Sequence, residues 1–288
     1  MSEATQKYYV PHGSQWPIIG SISLFLIAFG AGTWLNGGGL GKIMTLAGVA
    51  GILYMIFGWF GEVIRESIKG MFHAREDGSF RMGMIWFIMS EVMFFAAFFG
   101  ALFYARQLVV PWLGGEGSNF FTNLLIWTGY EAEWPTNGPA SLGGDFQTMG
   151  AFGLPLINTL LLLTSSVTIT IAHHALIRND RRWLNIGLFL TFALGFIFLY
   201  VQAIEYIHAY HELNLTMASG IYGSTFFMLT GFHGAHVTLG SIMLVVIWLR
   251  SLKGHFTPEN HFGFEAVAWY WHFVDVVWLG LFIFVYIL

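Results

Sequence analysis

The stretch GMIWFIMSEVMFFAAFFGALFYA, residues 83–105, carries a single charge, Glu91, among aliphatic and aromatic side chains. A bilayer core about 30 Å thick is crossed by a helix of roughly 20 mostly apolar residues, and this segment has that length and composition. Six further stretches share its character, at about 17–35, 42–64, 154–176, 184–206, 224–249 and 266–287. Without water in the hydrocarbon, each must satisfy its own backbone groups, which a helix does and an isolated strand does not. The two-residue alternation of strands is absent. The reading is an all-α integral membrane protein with seven transmembrane helices.

Composition agrees. Hydrophobic residues make up 56% of the chain, aromatics 18% and charged residues only 10%, against about 25% charged in ordinary soluble domains. There is no cysteine, which excludes disulfides, thiolate metal sites and cysteine catalysis and leaves the redox compartment open. The polar start MSEATQKYYVPHGSQWP lacks a basic n-region and a small-residue cleavage site, so it is expected to be retained. No Walker loop, GxGxxG, Ser–His–Asp set or basic–aromatic nucleic-acid pattern occurs, and the seventh span has no lysine for a retinal Schiff base. So little extramembrane mass leaves no room for a soluble catalytic domain.

Short cytoplasmic loops collect Lys and Arg. With the N-terminus inside, the inner side holds Lys7, Arg65, Lys69, Arg75, Arg81, Arg178, Arg181, Arg182, Arg250 and Lys253, against Lys42 and Arg106 outside. Ten against two predicts the N-terminus inside and the C-terminus outside. The polar run 65–82 then reads as a cytoplasmic loop joining a two-helix unit, 1–64, to a five-helix unit, 83–288. An outer insertion at about 106–153 interrupts the second unit, and its FFTNLLIWTGY, with Trp127 and Tyr130, reads as an interfacial patch.

Ionisable groups at membrane depth cost about 2.5–3.5 kcal/mol each on insertion scales, so each calls for a partner or a task. Glu91 is expected to be neutral, either as interhelix glue or as a functional carboxyl. His272 and Asp275 share a helix face and read as a relay or as a pair that fixes packing. HAYH (208–211) and HGAH (233–236) have a chelating spacing, but a b-type haem needs paired histidines on two helices and a membrane desaturase needs several histidine boxes. His233 and His236 are therefore expected as buried polar glue, beside Gly231, Gly234 and Gly240 as close-approach positions. Glu205 and His208 read as an interfacial cap. At the inner boundary Glu62, Arg65 and Glu66 share one turn, with His73 following; Arg65 suits a lipid phosphate or ordinary snorkelling. His173, His174, His261 and Glu265 reach the inner surface and are candidates for a cation site.

RESIKGMFH, RMGMIWFIMSEVMFF, LPLINTLLLLTSSVTITIAHHAL, YGSTFFMLTGFHGAHVTLGS and HFGFEAVAWYWHFVDVVWL resemble, in order, the signature segments of subunit III of the haem–copper cytochrome c oxidases, from about residue 60 to the C-terminus. The resemblance implies a subunit without haem or copper of its own, packed on catalytic subunit I in a complex that includes subunit II and takes electrons from cytochrome c. It implies two N-terminal and five C-terminal helices around a V-shaped, lipid-filled cleft. By position, Glu91 is the family's buried carboxylate, Arg65, Glu66 and His73 its lipid-facing loop, and Arg250 the basic residue after the sixth span. The implied function is non-catalytic: phospholipid binding that supports proton uptake and turnover stability of subunit I in a proton-pumping oxidase. The implied location is a bacterial cytoplasmic membrane, with a mitochondrial inner membrane as the alternative. A stand-alone proton-coupled transporter, or the equivalent subunit of a quinol oxidase or nitric oxide reductase complex, are the competing readings.

Overall fold

The computed structural model describes residues 13–288; Lys7 and the rest of 1–12 lie outside the described residues. Among the described residues, seven helices are long and apolar enough to cross a membrane. The helices are α1 (Trp16–Leu35), α2 (Gly41–Ile68), α3 (Ala74–Tyr104), a short α4 (Val110–Leu113), α5 (Leu154–Ile177), α6 (Arg181–His211), α7 (Gly220–Leu252) and α8 (Phe262–Leu281). The chain divides into two compact units, 1–82 and 83–288, with the division inside α3.

In the first unit, α1 and α2 form an antiparallel hairpin packed through small residues. A Cβ on Gly30 would lie 2.6 Å from the Thr45 amide nitrogen, and one on Gly48 would lie 2.6 Å from the Ser23 carbonyl oxygen. Such contacts between backbones are open only to glycine, and in hydrocarbon close van der Waals approach is a main source of helix association. Trp16 Nε1 closes the far end of the hairpin by donating to Glu62 Oε2 at 2.5 Å.

Residues 65–82 are mostly helical rather than a loop. α2 runs on through Arg65 and Glu66 to Ile68, and α3 begins at Ala74, leaving only 69–73 as the connection. The physical reason is a local cap: Glu76 Oε2 accepts from the backbone N–H of His73, at 2.9 Å, satisfying a donor just before the first turn. A polar helix end can therefore project past the apolar layer.

The second unit is built around α8, the most buried span. Its Trp271 and Trp278 are fully buried. They donate from Nε1 to Ser165 Oγ and Thr159 Oγ1 of α5, each at 2.9 Å. A Cβ at Gly195 of α6 or Gly240 of α7 would meet the Trp271 ring at 2.7 or 2.9 Å, so those glycines seat the indole. Of the three close-approach glycines expected in α7, only Gly240 has this role: Gly234 has nothing within 4 Å, and a Cβ at Gly231 would make only an ordinary contact with Tyr206. α5 and α6 are joined by a tight turn in which Asn179 takes φ 58° and Asp180 caps α6, accepting from the amides of Arg182 and Trp183 at 3.1 and 3.2 Å. This pairing of a left-handed residue with an Asp N-cap ends one helix and starts the next.

The connection 105–153 continues α3 through a π-helical turn, Ala105–Val109, ahead of Pro111 in α4. A proline supplies no N–H to the preceding turn, and a widened turn relieves that defect. The segment then folds back on the α6–α7 connection: Asn214 Nδ2 donates to the carbonyls of Gly143 and Asp145, and Tyr222 N–H donates to Thr136 O. In the FFTNLLIWTGY patch, Asn123 Nδ2 reaches the carbonyls of Leu113, Trp127 and Tyr130. That ties down the backbone and leaves Phe121, Leu125 and Ile126 exposed.

Candidate functional site

Three polar constellations gather buried and half-buried ionisable groups of the second unit. In the first, Glu91 of α3 meets His236 of α7, with Oε2 3.1 Å from Nε2. His236 Nδ1 lies 2.6 Å from the carbonyl of Phe232, and since a carbonyl only accepts, Nδ1 carries the proton. A hydrogen bond between Nε2 and Glu91 then needs one proton between them, since Nε2 offers only a lone pair in that tautomer. Each group thereby has a hydrogen-bond partner on a neighbouring helix, and leaving a polar group unpaired is what is most costly at this depth. Phe94, Phe95, Phe232 and Phe273 surround the imidazole or its neighbours.

In the second, Ser166 of α5 joins His272 and Asp275 of α8. Its Oγ donates to Asp275 Oδ2 at 2.7 Å and lies 3.2 Å from His272 Nδ1. Having spent its proton on the carboxylate, the hydroxyl accepts from His272 Nδ1–H, which fixes that tautomer. His272 and Asp275 thus act on a third residue of another helix, and the sequence carries no sign of Ser166. His233, fully buried, donates from Nε2 to the Val274 carbonyl of α8 at 3.1 Å. His236 instead bonds to α3, so the HGAH imidazoles make their hydrogen bonds to different helices.

The third corrects the reading of Glu205 as an interfacial cap. Glu205 is fully buried because α6 continues to His211, and it accepts from Tyr286 Oη in the π-helical turn Phe282–Ile287 that follows α8. Nearby, Asn158 of α5 donates to Gln202 of α6 at 3.2 Å. A C-terminal tyrosine is the only signal that could have pointed to this seat.

At the opposite end of the unit, Arg250 leaves α7 and lies over the Phe256 ring, 4.5 Å from its centroid, while Arg181 donates to the Phe256 carbonyl at 2.6 Å. His255 in this connection is held below the usual histidine value by burial first, then by the charges of Arg250 and Lys253. Here too His173, His261 and Glu265 come together, with their ligand atoms within 4.8 Å of one another. His174 is exposed and outside that group. In the first unit Arg65 and His73 are exposed and Glu66 is half-buried.

With the geometry in place, relatedness decides the family. A family model described as cytochrome c oxidase subunit III matches residues 6–288. The chain belongs to the cytochrome c oxidase subunit III family. Cytochrome c oxidase subunit 3 of Felis catus is 41% identical over 287 residues, covering 99% of this chain and 98% of the relative. The proteins of the same name from Hippopotamus amphibius and Oncorhynchus nerka are each 40% identical with the same coverage. As a subunit III, the chain is a membrane protein of an oxidase complex with other subunits.

Proposed function

We propose that this subunit III is a non-catalytic, phospholipid-seating part of a proton-pumping cytochrome c oxidase that supports proton uptake and turnover stability of catalytic subunit I. The observation that carries the reading is the Glu91–His236 contact, which ties α3 to α7.

Lipid has chemistry to meet. Beside Glu91, α3 exposes Ile85, Trp86, Met89 and Met93 at helical spacing, an apolar stripe suited to acyl chains. Arg65 and His73, with Glu66, offer charge to a headgroup at the end of α2. Arg250, folded over Phe256, would hold a headgroup through the guanidinium donors left over. The same reading has subunits I and II as protein neighbours, and cytochrome c as electron donor to the complex. It places the N-terminus inside and the C-terminus outside, in a bacterial cytoplasmic membrane or its mitochondrial counterpart.

Purification in mild detergent tests it: the chain should co-migrate with haem-containing subunits and with phospholipid. A haem-free, homogeneous particle that transports an ion would instead establish a stand-alone transporter.

A further inference from the structure

The cluster at the junction of α5 and α8 is not used by the lipid reading, and its geometry is that of a coordination site. Glu265 Oε1 lies 3.7 Å from His173 Nε2 and 3.5 Å from His261 Nε2. Both separations exceed the 2.7–3.2 Å typical of N–H···O hydrogen bonds. With zinc–ligand distances of roughly 2.0–2.2 Å, the edge of a coordination tetrahedron is about 3.4 Å, close to the two separations from Glu265, while the imidazole nitrogens lie within 4.8 Å of each other.

The donors are prepared for a cation. His261 Nδ1 lies 3.1 Å from the Thr257 carbonyl, so Nδ1 carries the proton and Nε2 presents its lone pair. Orientation of a ligating imidazole by a backbone carbonyl is the usual outer-sphere arrangement of metal sites. His173 Nε2 is buried and makes no hydrogen bond, so in the Nδ1–H tautomer its lone pair is available to a cation. Glu265 supplies the negative charge from the first turn of α8, where the helix dipole favours a carboxylate.

We propose that His173, His261 and Glu265 form a divalent transition-metal site of zinc type, in which the ion ties the end of α5 to the start of α8. Two imidazoles and one carboxylate leave a fourth tetrahedral position for water, and the donor set favours zinc over the oxygen-seeking magnesium and calcium. The site stands whether or not the lipid reading holds, because neither its residues nor its test involves lipid.

The test is zinc uptake by the chelator-washed, intact oxidase, counted against haem iron, for wild type and for His173→Gln, His261→Gln and Glu265→Gln. The wild-type complex should take up about one zinc more than each variant at equal haem content. Equal uptake by all four overturns the site. For any variant that fails to assemble, zinc-edge X-ray absorption of the wild type decides instead. A shell of two imidazole nitrogens together with oxygen supports the site, and a shell without two imidazoles, or no retained zinc, overturns it.

Discussion

Glu91 Oε2 and His236 Nε2, 145 residues apart in the chain, sit 3.1 Å from each other and join α3 to α7. This relationship turns an expensive carboxyl into a helix-to-helix tie.

Glu91→Gln should therefore leave assembly and initial oxidase turnover nearly unchanged, because the amide N–H₂ can donate to Nε2. Glu91→Leu removes the partner of a half-buried imidazole and should destabilise the subunit by about 1–3 kcal/mol. Thermal release of the subunit from the haem-containing complex would measure both. A Gln variant that is inactive from the first turnover would show that the carboxyl has a chemical task.

Trp271 and Trp278 make a second pair of ties, each donating to a hydroxyl of α5. Trp271→Phe keeps most of the apolar volume and loses the donor, so it should lower stability by roughly 1–2 kcal/mol, in line with interhelical hydrogen bonds in bilayers. Trp271→Ala adds a cavity beside Gly195 and Gly240 and should cost about 3–5 kcal/mol. The ordering of the two variants in a denaturation series is the check.

The hairpin of α1 and α2 gives a contrast within one helix. A side chain at Gly48 would collide with the backbone of α1 at Ser23, whereas Gly61 has nothing within 4 Å. Gly48→Val should sharply reduce the amount of assembled subunit, and Gly61→Ala should leave it at the wild-type level, as read by immunoblot of the purified complex.

The seven spans were legible because desolvation imposes a long apolar run on every crossing helix, and a run of that kind is visible without any tertiary knowledge. Helix ends were less so. Residues 65–82 look like a loop by polarity, yet the Glu76 cap and the continuation of α2 make most of them helix. Glu205 looked like a boundary residue for the same reason and is buried, since α6 outlasts its apolar stretch. Partners were the least legible. Glu91 announced itself as a carboxyl in hydrocarbon, but His236 could be named only once α7 lay beside α3, and Ser166 is one of two adjacent serines in α5. The cation cluster was partly legible, since the histidines and Glu265 fall at span ends that topology brings to one face. That His174 stays exposed and outside the ligand group depends on helical phase at the end of α5.

The most direct test of the central claim compares the intact oxidase with the same complex depleted of this subunit, and with the Arg65→Ala variant. Bound phospholipid per haem and the decay of activity during continuous turnover are measured together. The account predicts that depletion leaves the initial turnover rate per haem largely intact, removes tightly bound phospholipid and hastens inactivation, with Arg65→Ala showing a milder form of both losses. Unchanged lipid content with unchanged inactivation kinetics, or activity absent from the first turnover, would contradict it.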